Sequence, residues 1–260
     1  MVIRNINLQE ITSQEVSVNI HNLKKKYCRM KVEELKDLLR GKTIEDQLME
    51  LAHLFPEKVL FTTSFGIEDQ VISDMIFTND IPVETATLDT GRLFPETYKV
   101  FSETIKKYQK NIKVYFPDHK DVEEMVTEKG PFSFYLSKEN RLECCRIRKL
   151  VPLNRALEGI VCWVSGVKAD QSDNRRKMDR IEFDEEKQLF KFYPLFDWSL
   201  EDVKKYLREN EVPYNSLHDR GFVSIGCQPC TRAVEEGADF RSGRWWWEAG
   251  SLKECGLHIK

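Results

Sequence analysis

Val59-Leu60-Phe61-Thr62-Thr63-Ser64-Phe65-Gly66-Ile67-Glu68-Asp69 is the stretch on which the fold turns. Its first five residues are apolar or β-branched, the texture of a short buried strand. Ser64, Phe65 and Gly66 interrupt that texture, and Ile67, Val71, Ile72, Met75 and Ile76 then recur on one face of a helix. A strand that turns through hydroxyl residues and a glycine into a helix presents backbone N–H groups on which an anion can rest. Alone, such a turn is as often a mere connector.

The alternation repeats downstream. Residues 83–88 read as a second strand, followed by a turn at Asp89-Thr90-Gly91 and a helix with Pro95 in its first turn and Tyr98, Phe101 and Ile105 inward. Residues 112–116 and 160–167 read as further strands. Residues 181–183 and 190–193, around Asp184-Glu185-Glu186, form an edge hairpin, and Ser199 with Asp202 caps a helix carrying Leu200, Val203, Tyr206 and Leu207. Strands alternating with amphipathic helices predict an α/β fold with a doubly wound, mostly parallel sheet, whose ligands bind beyond the carboxyl ends of the strands. Upstream, Val32, Leu35, Leu38 and Leu39 share a helix face that Gly41 ends. Thr43 with Asp46 caps the next helix, which carries Ile44, Leu48 and Leu51. The expected division is an N-terminal helical segment over 1–57, packed on a main α/β domain over 58–234, and a tail over 235–260. That tail is rich in Gly, Arg and Trp and is expected to be mobile.

The 260 residues are 41% hydrophobic and 32% charged with a formal net charge of −3, which gives no bulk electrostatic case for a nucleic-acid partner. No stretch approaches the roughly 20 apolar residues that span a bilayer, and the first residues lack a signal-peptide core. The expectation is a cytoplasmic protein, where thiols stay reduced, so seven cysteines argue for metal or redox chemistry. Cys144-Cys145 and Cys227-Gln228-Pro229-Cys230 stand out. Four thiolates suit zinc or an iron–sulfur cluster. Adjacent helical side chains diverge by about 100°, awkward for one small tetrahedron and easier for a cluster whose irons stand apart. The residues alone leave both open. Arg146-Ile147-Arg148-Lys149 would offset thiolate charge, while Cys28 and Cys162 are assigned to packing.

Taken in order, six segments resemble the assimilatory adenylyl-sulfate reductases, the iron–sulfur branch of the sulfonucleotide reductase family. They are Ser64-Phe65-Gly66-Ile67-Glu68-Asp69, Leu88-Asp89-Thr90-Gly91-Arg92-Leu93, the Cys144-Cys145 pair, Gly166 through Arg176, the C-x-x-C, and Lys253-Glu254-Cys255-Gly256-Leu257-His258. The likeness runs from about residue 58 to the end, and the terminal Lys-Glu-Cys-Gly-Leu-His is its most specific part. It implies an adenine nucleotide α-hydrolase-like fold and a [4Fe–4S] cluster on Cys144, Cys145, Cys227 and Cys230. It makes the main domain nucleotide-binding and the tail catalytic, with Cys255 as nucleophile. By position it assigns substrate contacts to Thr63, Ser64, Gly66, Asp69, Leu88, Lys149, Gly166, Arg241, Arg244 and His258, and to Arg175 or Arg176.

The implied reaction is reduction of adenylyl sulfate to sulfite and AMP through an S-sulfocysteine, in sulfate assimilation. A separate thioredoxin or glutaredoxin would be the electron donor, and a homo-oligomer is left open. The nearest rival is a reductase taking the 3′-phosphorylated nucleotide, or both. An ATP-dependent adenylyltransferase of similar fold is the rival from another class, and the Ser-Gly-Gly-x-Asp-Ser loop it would need is absent. A zinc-dependent binding module is the non-enzymatic alternative.

Overall fold

The computed structural model describes residues 32–171, 175–235 and 237–248. Two helices, α1 (Val32–Leu39) and α2 (Ile44–Leu54), precede β1 (Val59–Thr63). Asp46 N donates to Thr43 Oγ1 at 3.2 Å, the expected cap of α2. Beyond β1 come α3 (Ile67–Thr78), β2 (Glu84–Leu88), α4 (Pro95–Tyr108), β3 (Lys113–Tyr115), α5 (His119–Lys129), α6 (Lys138–Cys145), α7 (Val151–Ala156) and β4 (Cys162–Val164). The hairpin β5 (Ile181–Asp184) and β6 (Leu189–Phe192) follows, then α8 (Leu200–Glu209), whose capping box on Ser199 and Asp202 is present as expected.

The strands form one sheet in the order β3-β2-β1-β4-β6-β5. Every neighbouring pair is parallel except β5–β6. From β1 the chain winds outward through β2 and β3, then returns to lay β4 on the other side of β1. The winding direction therefore reverses between β1 and β4, where a doubly wound sheet leaves a crevice at its carboxyl edge. The inner strands β1, β4 and β6 are buried on both faces, as strands of parallel sheets are, while the edge strand β3 is exposed. Phe61, Cys162 and Val164 pack on one side with Leu35, Leu48 and Leu51 of the N-terminal helices. Leu60 and Trp163 turn to the other side against Leu153 and Ala156 of α7. Each of these large apolar side chains contributes on the order of 1.5–3 kcal/mol through burial. Cys162 is fully covered and burial pushes its thiol up to about 12, so it packs and does not react. Cys28 lies outside the described residues.

Two helix faces differ from their sequence reading. α3 is buried on all sides rather than on one, from Ile67 through Phe77. Its polar residues find partners inside the protein: Gln70 Nε2 donates to Thr104 Oγ1 and to the Pro213 carbonyl, and Asp74 accepts from Tyr108 and Tyr206 hydroxyls. In α4 the buried stripe is Thr97, Val100 and Thr104, with Phe101 partly buried against the core as expected, while Tyr98 and Ile105 are 41% and 39% exposed. The threonines serve as well as apolar residues there because their hydroxyls are bonded, Thr104 Oγ1 to the Val100 carbonyl at 2.8 Å. Among the described residues no helix is long and apolar enough to cross a membrane.

Candidate active site

A cleft of about 220 Å³ opens at the carboxyl ends of β1, β2 and β4, at the point where the winding reverses. It is lined by Thr63, Ser64, Gly66 and Asp69 after β1, by Leu88 at the end of β2 and by Gly166 after β4. Gly66 is the N-cap of α3 and supplies no side chain to bond the first N–H groups of that helix, which suits an anion there. The loop before it is held in a costly shape. Phe65 has φ 60°, the left-handed region that bulky residues avoid, and keeps it because its ring is buried against Phe101 at 4.8 Å.

Asp69 ties the two loops together. Its Oδ2 accepts from Ser64 N at 2.7 Å and Ser64 Oγ at 2.6 Å, and the Gly166 amide also bonds it. Burial pushes the Asp69 carboxyl above its usual range, against those donors and the charge of Arg175. Glu68 beside it is raised as well, chiefly by burial, and accepts from Gln171 Nε2 at 3.0 Å. Gly166 is a glycine for want of space: a Cβ there would stand 2.3 Å from Asp69 Oδ1 and 3.2 Å from Asp69 N.

Four cations from three segments face the same cleft: Lys149, Arg175, and Arg241 with Arg244. Gln171 Oε1 accepts from Arg175 Nη1. Arg176 is exposed and is not among the residues that line the cleft, whereas Arg175 is.

Cys144, Cys145, Cys227 and Cys230 converge on a second, small cleft behind this one. The first two end α6, and residues Arg146–Leu150 continue as a π-helical turn, a local widening that recurs at functional sites. The Cys227–Cys230 loop is pinned against Arg244 by a bridge between Thr231 and Arg244. Arg141, 1% exposed, closes the cleft through a two-pronged pair with Glu248 at 2.7 and 2.8 Å and lies over the Trp245 ring. Lys149 and Cys227 line both clefts, so the two share a wall. Burial would raise the Cys227 thiol, yet Lys149, the Thr90 hydroxyl at 3.3 Å, Arg244 and Arg148 bring it below its usual value.

Among the described residues no group of three or more His, Cys, Asp or Glu side chains is arranged to hold a single metal ion. The donor set suits a larger thiolate-bound group instead. All four thiols are buried, Arg92, Arg141, Arg148 and Lys149 surround them, and Arg92 Nη1 and Arg148 Nε are buried donors without an acceptor among the described residues. A sulfur-rich anion between the thiols would meet both needs.

Residues 58–233 match the model of the phosphoadenosine phosphosulfate reductase domain. The chain belongs to this family. It is 45% identical over 202 residues to the adenosine 5′-phosphosulfate reductase of Agrobacterium fabrum, covering 78% of each chain. With the adenosine 5′-phosphosulfate reductase of Neisseria meningitidis serogroup B it shares 46% over 199 residues, or 76% of this chain and 81% of the relative. Among solved structures, the phosphoadenylyl-sulfate reductase of Candida auris, in a phosphate complex, is similar at TM-score 0.65 and 29% identity. That match covers 78% of this chain and 96% of the other.

For this phosphoadenosine phosphosulfate reductase family member, the structure gathers most sequence candidates and adds several. Cys255 and His258 lie outside the described residues. Glu68, Gln171, Thr90 and His218 line or brace the clefts and were not singled out. His218 sits where helical and strand periodicity have faded; burial pushes it down to about 4, so it is neutral near pH 7. Thr90 and Gln171 lie inside quoted motifs, and only the fold reveals that one hydroxyl meets Cys227 and one amide links Arg175 to Glu68.

Proposed function

We propose that this protein reduces adenylyl sulfate to sulfite and AMP. The observation that carries the reading is the shared wall: a cation-lined cleft at the strand ends abuts four gathered thiols through Lys149 and Cys227. The names of the relatives near 45% identity support the unphosphorylated nucleotide as substrate.

The adenosine lies between the ends of β1 and β4, and the phosphosulfate faces the N-terminus of α3 together with Lys149, Arg175, Arg241 and Arg244. Planar guanidinium forks match phosphate and sulfate oxygens better than point charges do. Cys255 lies seven residues beyond Glu248, which is anchored by Arg141, so the chain spans at most about 25 Å from that anchor to the nucleophile. The Cys255 thiolate attacks the sulfonyl sulfur; an S–S bond forms, the S–O bond to AMP breaks, and AMP leaves with that electron pair. Cations near the cysteine, including Lys253 and His258 in sequence, favour the thiolate. A dithiol donor, a thioredoxin or glutaredoxin, then attacks Cys255 Sγ and expels sulfite. Its second thiol resolves the mixed disulfide and supplies the second electron of the pair.

Cys144, Cys145, Cys227 and Cys230 would hold a [4Fe–4S] cluster. Bound there, it supplies an anionic sulfur surface that fixes Lys149 and polarises the sulfate side of the cleft. The proposed setting is the cytoplasm.

Incubation with adenylyl sulfate in the absence of thiol, followed by intact mass, tests the reading. One sulfo group on Cys255 is expected, and none in Cys255→Ser. Nucleotide binding without adduct would refute the mechanism, and faster turnover of the 3′-phosphorylated nucleotide would reassign the substrate.

A further inference from the structure

Gly226 precedes Cys227, and its backbone is not in the left-handed region, so conformation does not demand a glycine there. Space does. A Cβ at Gly226 would lie 2.3 Å from Arg244 Nη2, 2.6 Å from Cζ and 2.8 Å from Nη1. All three nearest atoms belong to one guanidinium, the movable end of a long side chain. A methyl group there displaces the arginine rather than the backbone.

Arg244 has few alternatives to this position. It is 6% exposed, its guanidinium lies over the Trp245 ring at 4.7 Å, and its Nε donates to the Cys230 carbonyl at 3.4 Å. The Gly226 amide in turn donates to Thr231 Oγ1 at 3.2 Å, beside the bridge between Thr231 and Arg244. The missing side chain thus lets one cation lie flat on the loop that carries two of the four thiols while facing the nucleotide cleft.

We infer that Gly226 is a positioning residue: its bare Cα is the seat that aims the Arg244 guanidinium at the anionic end of the nucleotide. This rests on the proposed use of the cleft. A guanidinium that loses its aim gives up a charge-assisted hydrogen bond, roughly a tenfold to hundredfold loss in affinity.

The test is a double-mutant cycle on Gly226→Ala and Arg244→Ala, with AMP and adenosine affinities by calorimetry and iron and sulfide content as the control. Each single variant is expected to bind AMP roughly tenfold to hundredfold more weakly, adenosine unchanged, with the double no worse than the weaker single. Additive losses, or weaker adenosine binding in Gly226→Ala, overturn the seat. An Arg244→Ala variant that binds AMP like wild type shows that the arginine is not aimed at the nucleotide phosphate and overturns the seat, while leaving the proposed reaction to its own test. Weak binding in Arg244→Ala alone removes only the seat. If Gly226→Ala does not accumulate folded, the double variant decides. Folding restored by removal of the guanidinium supports the seat, and continued misfolding shows that Gly226 serves the loop itself.

Discussion

The nucleotide cleft and the cysteine cleft share a wall but are built in opposite ways. The first is made by the sheet: β1, β2 and β4 end side by side, and backbone groups, a carboxylate and a glycine close the space between their loops. The second is made by side chains from α6, the π-helical turn after it and the Cys227–Cys230 loop, with Trp245 packed against the cysteines and Arg141 paired to Glu248. A cleft made by strand ends should survive loss of its neighbour. One made by convergent side chains should fail when any of them is removed.

Cys144→Ser is the sharpest way to break that contrast, since Cys144 lines only the rear cleft. The expected outcome is complete loss of iron and sulfide with turnover abolished, while AMP affinity stays within about threefold, less than one ordinary hydrogen bond is worth. Metal analysis and calorimetry on the same sample check it. AMP binding that vanishes with the iron would show that the front cleft is not independent.

Gly166→Ala runs the contrast the other way. Its Cβ meets the Asp69 carboxylate and the Asp69 backbone N, and backbone cannot step aside as a side-chain tip can. Overpacking of this kind costs about 1–3 kcal/mol, and here it also parts the two loops. AMP affinity is expected to fall roughly a hundredfold with iron content unchanged; unaltered binding would remove the Asp69 tie from the description.

Both clefts were visible in the sequence, through different signals. Periodicity located the β1–α3 turn and the β4 loop, and the family resemblance picked out Asp69; Ser64, Gly66, Asp69 and Gly166 all line the front cleft. The cysteines were visible by their spacing as two pairs, and the resemblance joined them in one site; the elements that bring residues some eighty apart together were visible only in the fold. What sequence could not give were side-chain partnerships across the fold. Tyr98 looked inward by spacing, yet it is exposed at the surface with its hydroxyl bonded to Asp89, because threonines occupy the buried stripe of α4. Arg175 and Arg176 were equivalent in sequence; in the fold Arg175 lines the cleft and donates to Gln171, while Arg176 is exposed.

That separation gives a smaller effect. Arg175→Ala is expected to raise the KM for adenylyl sulfate roughly tenfold, the value of one charge-assisted hydrogen bond, while Arg176→Ala changes it less than twofold. Steady-state kinetics on the pair checks this, and equal losses would return the choice to where sequence left it.

The smallest effect is one of pH and belongs to the front cleft alone. Burial raises the Glu68 carboxyl above its ordinary value of 4.5, so the folded chain holds that proton more tightly than the unfolded chain. The stability that Glu68 contributes is then fully present below pH 4.5 and is lost as pH climbs through the raised folded value. Glu68→Gln keeps the acceptor for Gln171 Nε2 and removes the ionisation. The variant should match wild type near pH 4 and unfold at higher urea than wild type at pH 8, with the gap opening across the window between. Asp69 is raised for the same reason, so part of the slope must persist in the variant. A variant less stable at pH 8 would mean that the Glu68 charge is held in place by Lys168, whose field lowers the carboxyl's pKa, and that this loop is tied by an ion pair rather than strained by a buried acid.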